Sequence, residues 1–221
     1  MLIAGVDEAG RGPCLGPMVL AIATIEKKEE DLLLEIGVKD SKLLAAKERV
    51  RQLSLLKGTL YEFKHTAVKA HEIDTLREKE KKSLNEIEAM RVGTLLNALK
   101  KKPEIVYVDS PDIIQENFAK RIRKYISFDT TLKTEHKADS NYPIVSAASI
   151  IAKVERDRLI EKLAAKHGEI GSGYSHDAVT IKYLKDFIAK NKCLPTFARK
   201  SWITSQNMLS AEFQKKLGEY K

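Results

Sequence analysis

Residues 2–17 read LIAGVDEAGRGPCLGP. The apolar start of this stretch is typical of a β-strand, and the strand ends in two adjacent acids, Asp7 and Glu8. A Gly-Arg-Gly turn follows at residues 10–12. Acidic residues are seldom buried at a strand end without partners, and glycine weakens regular structure. The stretch therefore costs stability, which indicates that it serves a function.

Apolar runs along the rest of the chain predict a mixed five-stranded sheet flanked by helices, an α/β fold. The short link between the first two strands favours an antiparallel pair. Ser83 and Glu86 have capping-box spacing ahead of a helix that leads to the fourth strand, and Ser110-Pro111 predicts another helix start directly after that strand. The predicted strands are LIAGVD, PMVLAIATIE, TLYEFKHTAV, EIVYVD and TLKTEH.

The C-terminal part of the chain is helical and basic. VSAASIIAKVERDRLIEKLAAKHG and DAVTIKYLKDFIAKN predict two helices around the loop GEIGSGYSHD, and an amphipathic segment follows. We expect a catalytic domain over residues 1–190 and a basic helical extension over residues 191–221.

The formal net charge of +8 predicts a polyanionic partner such as nucleic acid, because clustered cations release condensed counterions when they bind it. Residues 190–221 contain seven Lys or Arg and two Glu, so the excess is concentrated there. The alternative is a solvated basic tail. The expected phosphate contacts are Lys190, Lys192, Arg199 and Lys200.

The sequence predicts a cytoplasmic protein without a membrane partner. Charged residues at Asp7 and Glu8 argue against a signal peptide, and the apolar run VLAIATI is too short to span a bilayer. Cys14 and Cys193 lie far apart and match no zinc or redox spacing, which favours a reducing compartment.

Two aspartates, Asp7 and Asp109, each end a predicted strand. A helical crossover between these strands favours parallel neighbours, whose carboxyl ends meet at one edge. Carboxylates gathered there repel one another unless a divalent cation neutralises them, and such oxygen ligands suit Mg²⁺ or Mn²⁺. On a regular strand Glu8 faces away from Asp7, so it joins them only through a turn of the chain or through its carbonyl. Asp139 is a fourth candidate.

The alternative is that these acids are ordinary turn or cap residues. What favours a functional site is their combination with the Gly-Arg-Gly turn, where backbone amides and a guanidinium can approach a polyanion closely.

Several motifs, taken together and in order, resemble type 2 ribonuclease H (ribonuclease HII), most closely its archaeal form. They cover the chain from Gly5 to Tyr174, with a further match near the C-terminus. The motifs are GVDEAGRGPCLGP, VKDSK, VDS, HKADSNYPIVSAASIIAK, GSGYSHD and RKSWIT.

The resemblance implies a ribonuclease H-like sheet with a helical C-terminal extension. It also implies hydrolysis of the RNA strand of RNA/DNA hybrids, including cleavage 5′ to a single ribonucleotide embedded in DNA. Two ions, Mg²⁺ or Mn²⁺, would activate water and stabilise the leaving oxygen, giving 5′-phosphate and 3′-hydroxyl ends. The catalytic and metal-binding carboxylates carried over by position are Asp7, Glu8, Asp109 and Asp139.

A second group of matched residues is implied in substrate binding. In the family the GRG turn holds the nucleotide at the RNA–DNA junction, a tyrosine reads its sugar, and the DSK element lies near phosphates. For the matched lysine of the long helix, a phosphate contact and a surface ion pair are both open. After the tyrosine, Ser175 and His176 replace a proline-containing run. The expected substrate-binding residues are Gly10, Arg11, Gly12, Asp40, Ser41, Lys42, Lys153 and Tyr174.

The expected partners are RNA/DNA hybrid and ribonucleotide-containing duplex DNA, bound by a monomer, and recruitment by a sliding clamp is left open by the sequence. Two other functions stay as alternatives: a nucleic-acid-binding protein without catalysis, and a DNA junction nuclease of similar fold. Cleavage of a duplex with one ribonucleotide, beside an all-DNA control, separates the three.

Overall fold

A computed structural model describes residues 1–38 and 44–218, with side chains described as far as residue 214. No helix within these ranges has the length and apolar character needed to cross a bilayer. The strands are β1 (Leu2–Ala9), β2 (Met18–Glu26), β3 (Glu62–Val68), β4 (Ile105–Asp109) and β5 (Thr131–Glu135). The helices are α1 (Asp31–Ile36), α2 (Ala46–Thr59), α3 (Ala70–Glu78), α4 (Leu84–Asn97), α5 (Gln115–Arg123), α6 (Ala138–Asn141), α7 (Pro143–His167), α8 (Ala178–Asn191) and α9 (Ile203–Gly218).

The five described strands form one mixed sheet in the order β3-β2-β1-β4-β5. β1 is antiparallel to β2 and parallel to β4, and β4 is parallel to β5. This confirms the predicted α/β fold, the antiparallel first pair and the parallel pair across the helical crossover. The last register pair of β1 and β4 is Val6 with Val108, so Asp7 and Asp109 follow at neighbouring strand ends.

The middle of the sheet is fully covered, because β1 and β2 are buried along almost their whole length. α7 packs directly onto β1 at Gly5. A Cβ atom at Gly5 would lie 2.3 Å from the carbonyl carbon and oxygen of Ile144 and 2.5 Å from the nitrogen of Val145. Only glycine therefore permits this approach of helix backbone to strand, and its presence inside an apolar strand has a packing reason.

The chain divides into two compact units, each described here by itself. The first comprises Met1–Ala9, Val19–Ala67 and Ser83–Arg156, and contains the sheet. The second comprises Gly10–Met18, Val68–Lys82 and Asp157–Lys221. The predicted division at residues 190 and 191, into a catalytic domain and a basic extension, stays a prediction.

The second unit has its own apolar core, formed by the loop after β1, α7, α8 and the segment that precedes α9. Met208 and Leu209 of α9 pack against it, as expected for an amphipathic helix. Its buried members are Cys14, Leu15, Ile160, Ile170, Leu184, Ile188, Leu194, Phe197 and Ala198.

Two predicted helix starts have different outcomes. The Ser83 hydroxyl accepts a hydrogen bond from the Glu86 amide at 3.2 Å, which confirms the cap of α4. The start predicted at Ser110 is wrong, because α5 begins only at Gln115. The Ser110 amide instead donates to the Glu135 carbonyl at 2.9 Å, which continues the contact between β4 and β5.

Replacing Gly5 with Ala should lower the free energy of unfolding by about 1–3 kcal/mol, because the new methyl group meets helix backbone that cannot rotate away. Urea denaturation measures this loss. Gly58→Ala is the matched control: nothing lies within 4 Å of its added Cβ, at an exposed position in α2. It should gain about 0.5–1 kcal/mol. Equal effects at both positions would contradict the packing account.

Candidate functional site

Three carboxylates meet at the edge of the sheet where β1 and β4 end. One oxygen from each of Asp7, Glu8 and Asp109 can be chosen so that all three lie within 4.8 Å of one another. Asp7 is buried, and the other two are half-buried. Three of the four predicted carboxylates thus lie together, and the parallel pairing of β1 and β4 accounts for the neighbouring positions of Asp7 and Asp109.

Hydrogen bonds fix the two aspartates in this cluster. Oδ1 of Asp7 accepts from the Glu8 amide at 2.8 Å, and the side chain of Ser149, on α7, also hydrogen-bonds Asp7. Oδ1 of Asp109 accepts from the Ala138 amide at 2.8 Å. Sequence reasoning missed Ser149, although its place in the small-residue run SAAS indicates a close helix contact.

The electrostatics of the cluster are unfavourable without a cation. Burial raises the pKa of Asp7 well above its ordinary value, and the charges of Glu8 and Asp109 raise it further. The hydrogen bonds from Ser149 and from the Glu8 amide lower this pKa only in part. Three converging carboxylates are the hard oxygen ligands that Mg²⁺ and Mn²⁺ prefer, so the residues fit such an ion.

Glu8 joins the two aspartates through its side-chain carboxylate. β1 continues through Glu8 to Ala9, and Gly10 then adopts a positive φ of 79°. The carboxylate of Glu8 nevertheless lies with those of Asp7 and Asp109. Its side chain is one methylene longer than that of aspartate, which gives it reach at the end of the strand.

Asp139 lies in α6 and is buried, but the group of three close carboxylates found within the described residues does not include it. It directly follows Ala138, whose amide binds Asp109. Tyr142 anchors the far end of α6: its hydroxyl donates to Oε1 of Glu135 at 2.5 Å, and its amide donates to the Ala138 carbonyl at 2.9 Å. The role of Asp139 as a fourth ligand stays a prediction.

In the second unit, the GRG turn and Tyr174 lie against each other. A Cβ at Gly12 would be 3.8 Å from Cε1 of the Tyr174 ring, and the ring itself is half-buried. The amides of Cys14 and Leu15 both donate to the Gly173 carbonyl, at 2.9 and 3.1 Å. The two motifs that sequence reasoning assigned to substrate binding thus form one surface.

The loop that carries Tyr174 is held by Asp177. Its Oδ2 accepts from the Ser172 amide and hydroxyl, both at 2.6 Å, and its Oδ1 caps α8 through the Val179 amide at 2.9 Å. These bonds, led by the one from the Ser172 hydroxyl, hold the pKa of Asp177 well below its usual range. His176, at the point where the sequence departs from the family, has its ring centroid 5.3 Å from that of Tyr174.

The remaining predicted residues have mixed outcomes. Lys153 lies half-buried on α7, and its role stays a prediction. Asp40, Ser41 and Lys42 lie outside the described residues. The expectation that Arg199 contacts phosphate from the surface is wrong, because its side chain has no solvent exposure.

The raised pKa of Asp7 sets a pH dependence for the metal-free protein. The native state binds the Asp7 proton more tightly than the unfolded chain, so stability falls as pH rises above the ordinary aspartate pKa. Asp7→Asn should therefore be more stable than wild type near neutral pH in a chelator, with the difference shrinking toward about pH 4. Urea denaturation at several pH values measures both curves.

The control for this comparison is Asp129→Asn, which removes a fully exposed carboxylate of the same unit. Excess Mg²⁺ should stabilise wild type and Asp129→Asn alike, and Asp7→Asn less. A metal-free Asp7→Asn protein with the wild-type pH dependence would contradict this account of Asp7.

Comparison with known proteins places this arrangement in a family. A model of the family "Ribonuclease HII" matches residues 4–205. Ribonuclease HII of Pyrococcus horikoshii is 44% identical over 208 residues, which covers 94% of this chain and 93% of the relative. Ribonuclease HII of Methanocella arvoryzae is 43% identical over 219 residues, covering 99% and 96%.

Solved structures agree with the sequence comparisons. The ribonuclease H2 crystal structure from Pyrococcus horikoshii OT3 has a TM-score of 0.90 at 42% identity, covering 97% of this chain and 100% of that one. RNase HII in a complex with PCNA from Archaeoglobus fulgidus has a TM-score of 0.84 at 39% identity, covering 93% and 96%. Bst-RNase HIII in complex with Mn²⁺, 20% identical with a TM-score of 0.79 over 97% of this chain and 71% of that one, shares the fold. This chain belongs to the ribonuclease HII family of endoribonucleases.

Proposed function

We propose that this chain hydrolyses the RNA strand of RNA/DNA hybrids and also cuts 5′ to a single ribonucleotide in duplex DNA, using two divalent ions. The observation that carries the proposal is the cluster of Asp7, Glu8 and Asp109 at the ends of two parallel strands. The cleavage of single embedded ribonucleotides is supported by the motifs of the GRG turn and the tyrosine loop.

The chain's own residues prepare the site by fixing the carboxylates. The Glu8 amide and Ser149 orient Asp7, and the Ala138 amide orients Asp109, so oxygens face one another before any cation binds. Divalent ions bound there would supply water activation and stabilisation of the leaving 3′-oxygen. The proposed products are 5′-phosphate and 3′-hydroxyl ends. Asp139 is the proposed fourth ligand.

Ribose recognition is proposed for Gly10, Arg11, Gly12 and Tyr174. Because water is the proposed nucleophile, the 2′-hydroxyl is not consumed in the reaction and can identify the ribonucleotide. Gly12 is exposed and has no side chain to cover the Tyr174 ring. The ring can therefore pack on a sugar while its hydroxyl and the nearby backbone make hydrogen bonds.

The proposal also includes further contacts and partners. Lys153 and the element Asp40-Ser41-Lys42 are proposed to lie near backbone phosphates. The complex of the Archaeoglobus fulgidus relative with PCNA supports a partner of that type for this chain. Action as a monomer, a cytoplasmic location and a choice between Mg²⁺ and Mn²⁺ stay predictions.

Asp109→Asn should abolish cleavage of a duplex that carries one ribonucleotide, because it removes one carboxylate from the cluster while keeping the side-chain shape. The measurement is Mg²⁺-dependent product formation on a labelled duplex, beside an all-DNA duplex of the same sequence. Asp129→Asn should keep wild-type activity. Near-wild-type cleavage by Asp109→Asn would show that Asp109 is not part of the active site. Cleavage of the all-DNA duplex would instead favour a DNA nuclease.

Tyr174→Phe should weaken recognition of a single ribonucleotide by about 1 kcal/mol, the usual contribution of one hydrogen bond, and Tyr174→Ala by distinctly more. Steady-state kinetics on the single-ribonucleotide duplex measure this loss. Stabilisation by Mg²⁺ and affinity for all-DNA duplex should stay near wild type. Equal losses on a continuous hybrid and on the single-ribonucleotide duplex would show that Tyr174 supports its loop and does not read the junction.

A further inference from the structure

Arg199 is the largest fully buried side chain among the described residues. A guanidinium is stable inside a protein only when its N–H groups have acceptors. Arg199 finds them along one short loop: Nη2 donates to the Gly10 carbonyl at 2.5 Å, Nη1 to the Arg11 carbonyl at 2.7 Å and Nε to the Gly16 carbonyl at 3.1 Å. All of these atoms belong to the second unit.

Neighbours of Arg199 bind the same loop. Trp202 lies with its ring centroid 4.8 Å from the Arg199 guanidinium carbon, and its Nε1 donates to the Gly12 carbonyl at 3.1 Å. The Arg199 amide donates to the Cys14 carbonyl at 2.8 Å. The carbonyls of Gly10, Arg11 and Gly12, three consecutive residues, are therefore each held by Arg199 or Trp202.

This pattern fixes which groups the GRG turn presents. In a trans peptide the carbonyl and the following N–H point in opposite directions, and none of the described peptide bonds is cis. Carbonyls of Gly10 and Arg11 that point at the guanidinium turn the N–H groups of Arg11 and Gly12 away from it. Two adjacent donors thus point away from the guanidinium, with its buried positive charge behind their carbonyls, an arrangement that favours an oxygen-rich ligand.

We propose that Arg199, assisted by Trp202, is a positioning residue that sets the backbone of the GRG turn and thereby controls selection of a ribonucleotide over a deoxyribonucleotide. The inference rests on the proposed function and deepens it. Arg199 itself is buried and does not touch the substrate. It acts through the direction of the Arg11 and Gly12 amides.

The test measures selectivity, which a role in stability alone would not change. Binding of the single-ribonucleotide duplex and of the same all-DNA duplex is compared in chelator, where no cleavage occurs. Arg199→Lys keeps the charge but cannot reach three carbonyls with one ammonium. We expect it to lower the ratio of the two affinities about tenfold, the effect of one lost hydrogen bond to a charged group. Stabilisation of the variant by Mg²⁺ should match wild type.

Two further variants complete the test. Lys185→Met is the matched control, because it removes an exposed positive charge on α8 of the same unit and should leave the affinity ratio unchanged. Trp202→Phe keeps a ring but loses the bond to Gly12, and should lower the ratio by a smaller factor. It decides the question if Arg199→Lys does not fold.

A folded Arg199→Lys protein with the wild-type ratio would overturn the inference and leave the proposed function standing. If Arg199→Lys does not fold, an unchanged affinity ratio in Trp202→Phe overturns the inference and likewise leaves the proposed function standing. A wild-type protein that binds both duplexes equally would instead overturn ribose selection by the GRG turn, and this inference with it. The fluorescence of Trp202, the single tryptophan of the chain, should also differ between Arg199→Lys and Lys185→Met. Identical emission would contradict the contact of Trp202 with Arg199.

Discussion

Mutual repulsion among Asp7, Glu8 and Asp109 is the constraint on which the first unit depends. Their oxygens lie within 4.8 Å of one another, and Asp7 is buried with a raised pKa. Such a cluster persists only if rigid elements hold it. Parallel pairing of β1 with β4 supplies the strand ends, and the close approach of α7 at Gly5 brings a helix against β1, with Ser149 bonded to Asp7. A divalent cation bound there would relieve the repulsion, so the geometry that lowers the stability of the metal-free protein would raise it when metal is bound.

The second unit meets a different requirement, which is to hold an irregular loop in one conformation. Glycines at positions 10 and 16 adopt positive φ values and leave the chain free to take many shapes. Arg199 removes that freedom by binding carbonyls directly, and Asp177 does the same for the loop of Tyr174 through Ser172 and the start of α8. Polar side chains that bind the loop backbone therefore hold the surface that is proposed to read ribose.

The sequence predicts the sheet and its acidic edge well, because strand ends and the parallel direction of strands joined by a helical crossover follow from local patterns. Asp7 and Asp109 illustrate this, since each directly follows an apolar run. Local patterns could not predict that the Glu8 carboxylate reaches the two aspartates. They also could not predict that the Arg199 side chain is buried. Both depend on side-chain packing, and a basic segment gives no sign that one of its arginines is buried. The helix predicted at Ser110 failed for a related reason, because a bond to β5 outweighed a good local cap.

The central claim is that the three carboxylates form a metal site, and anomalous diffraction from crystals soaked in Mn²⁺ tests it most directly. The account predicts a manganese peak at coordination distance from the oxygens of Asp7, Glu8 and Asp109, and its loss from Asp109→Asn crystals grown and soaked identically. Manganese bound only elsewhere, or a well-ordered cluster without a peak at saturating Mn²⁺, would contradict it.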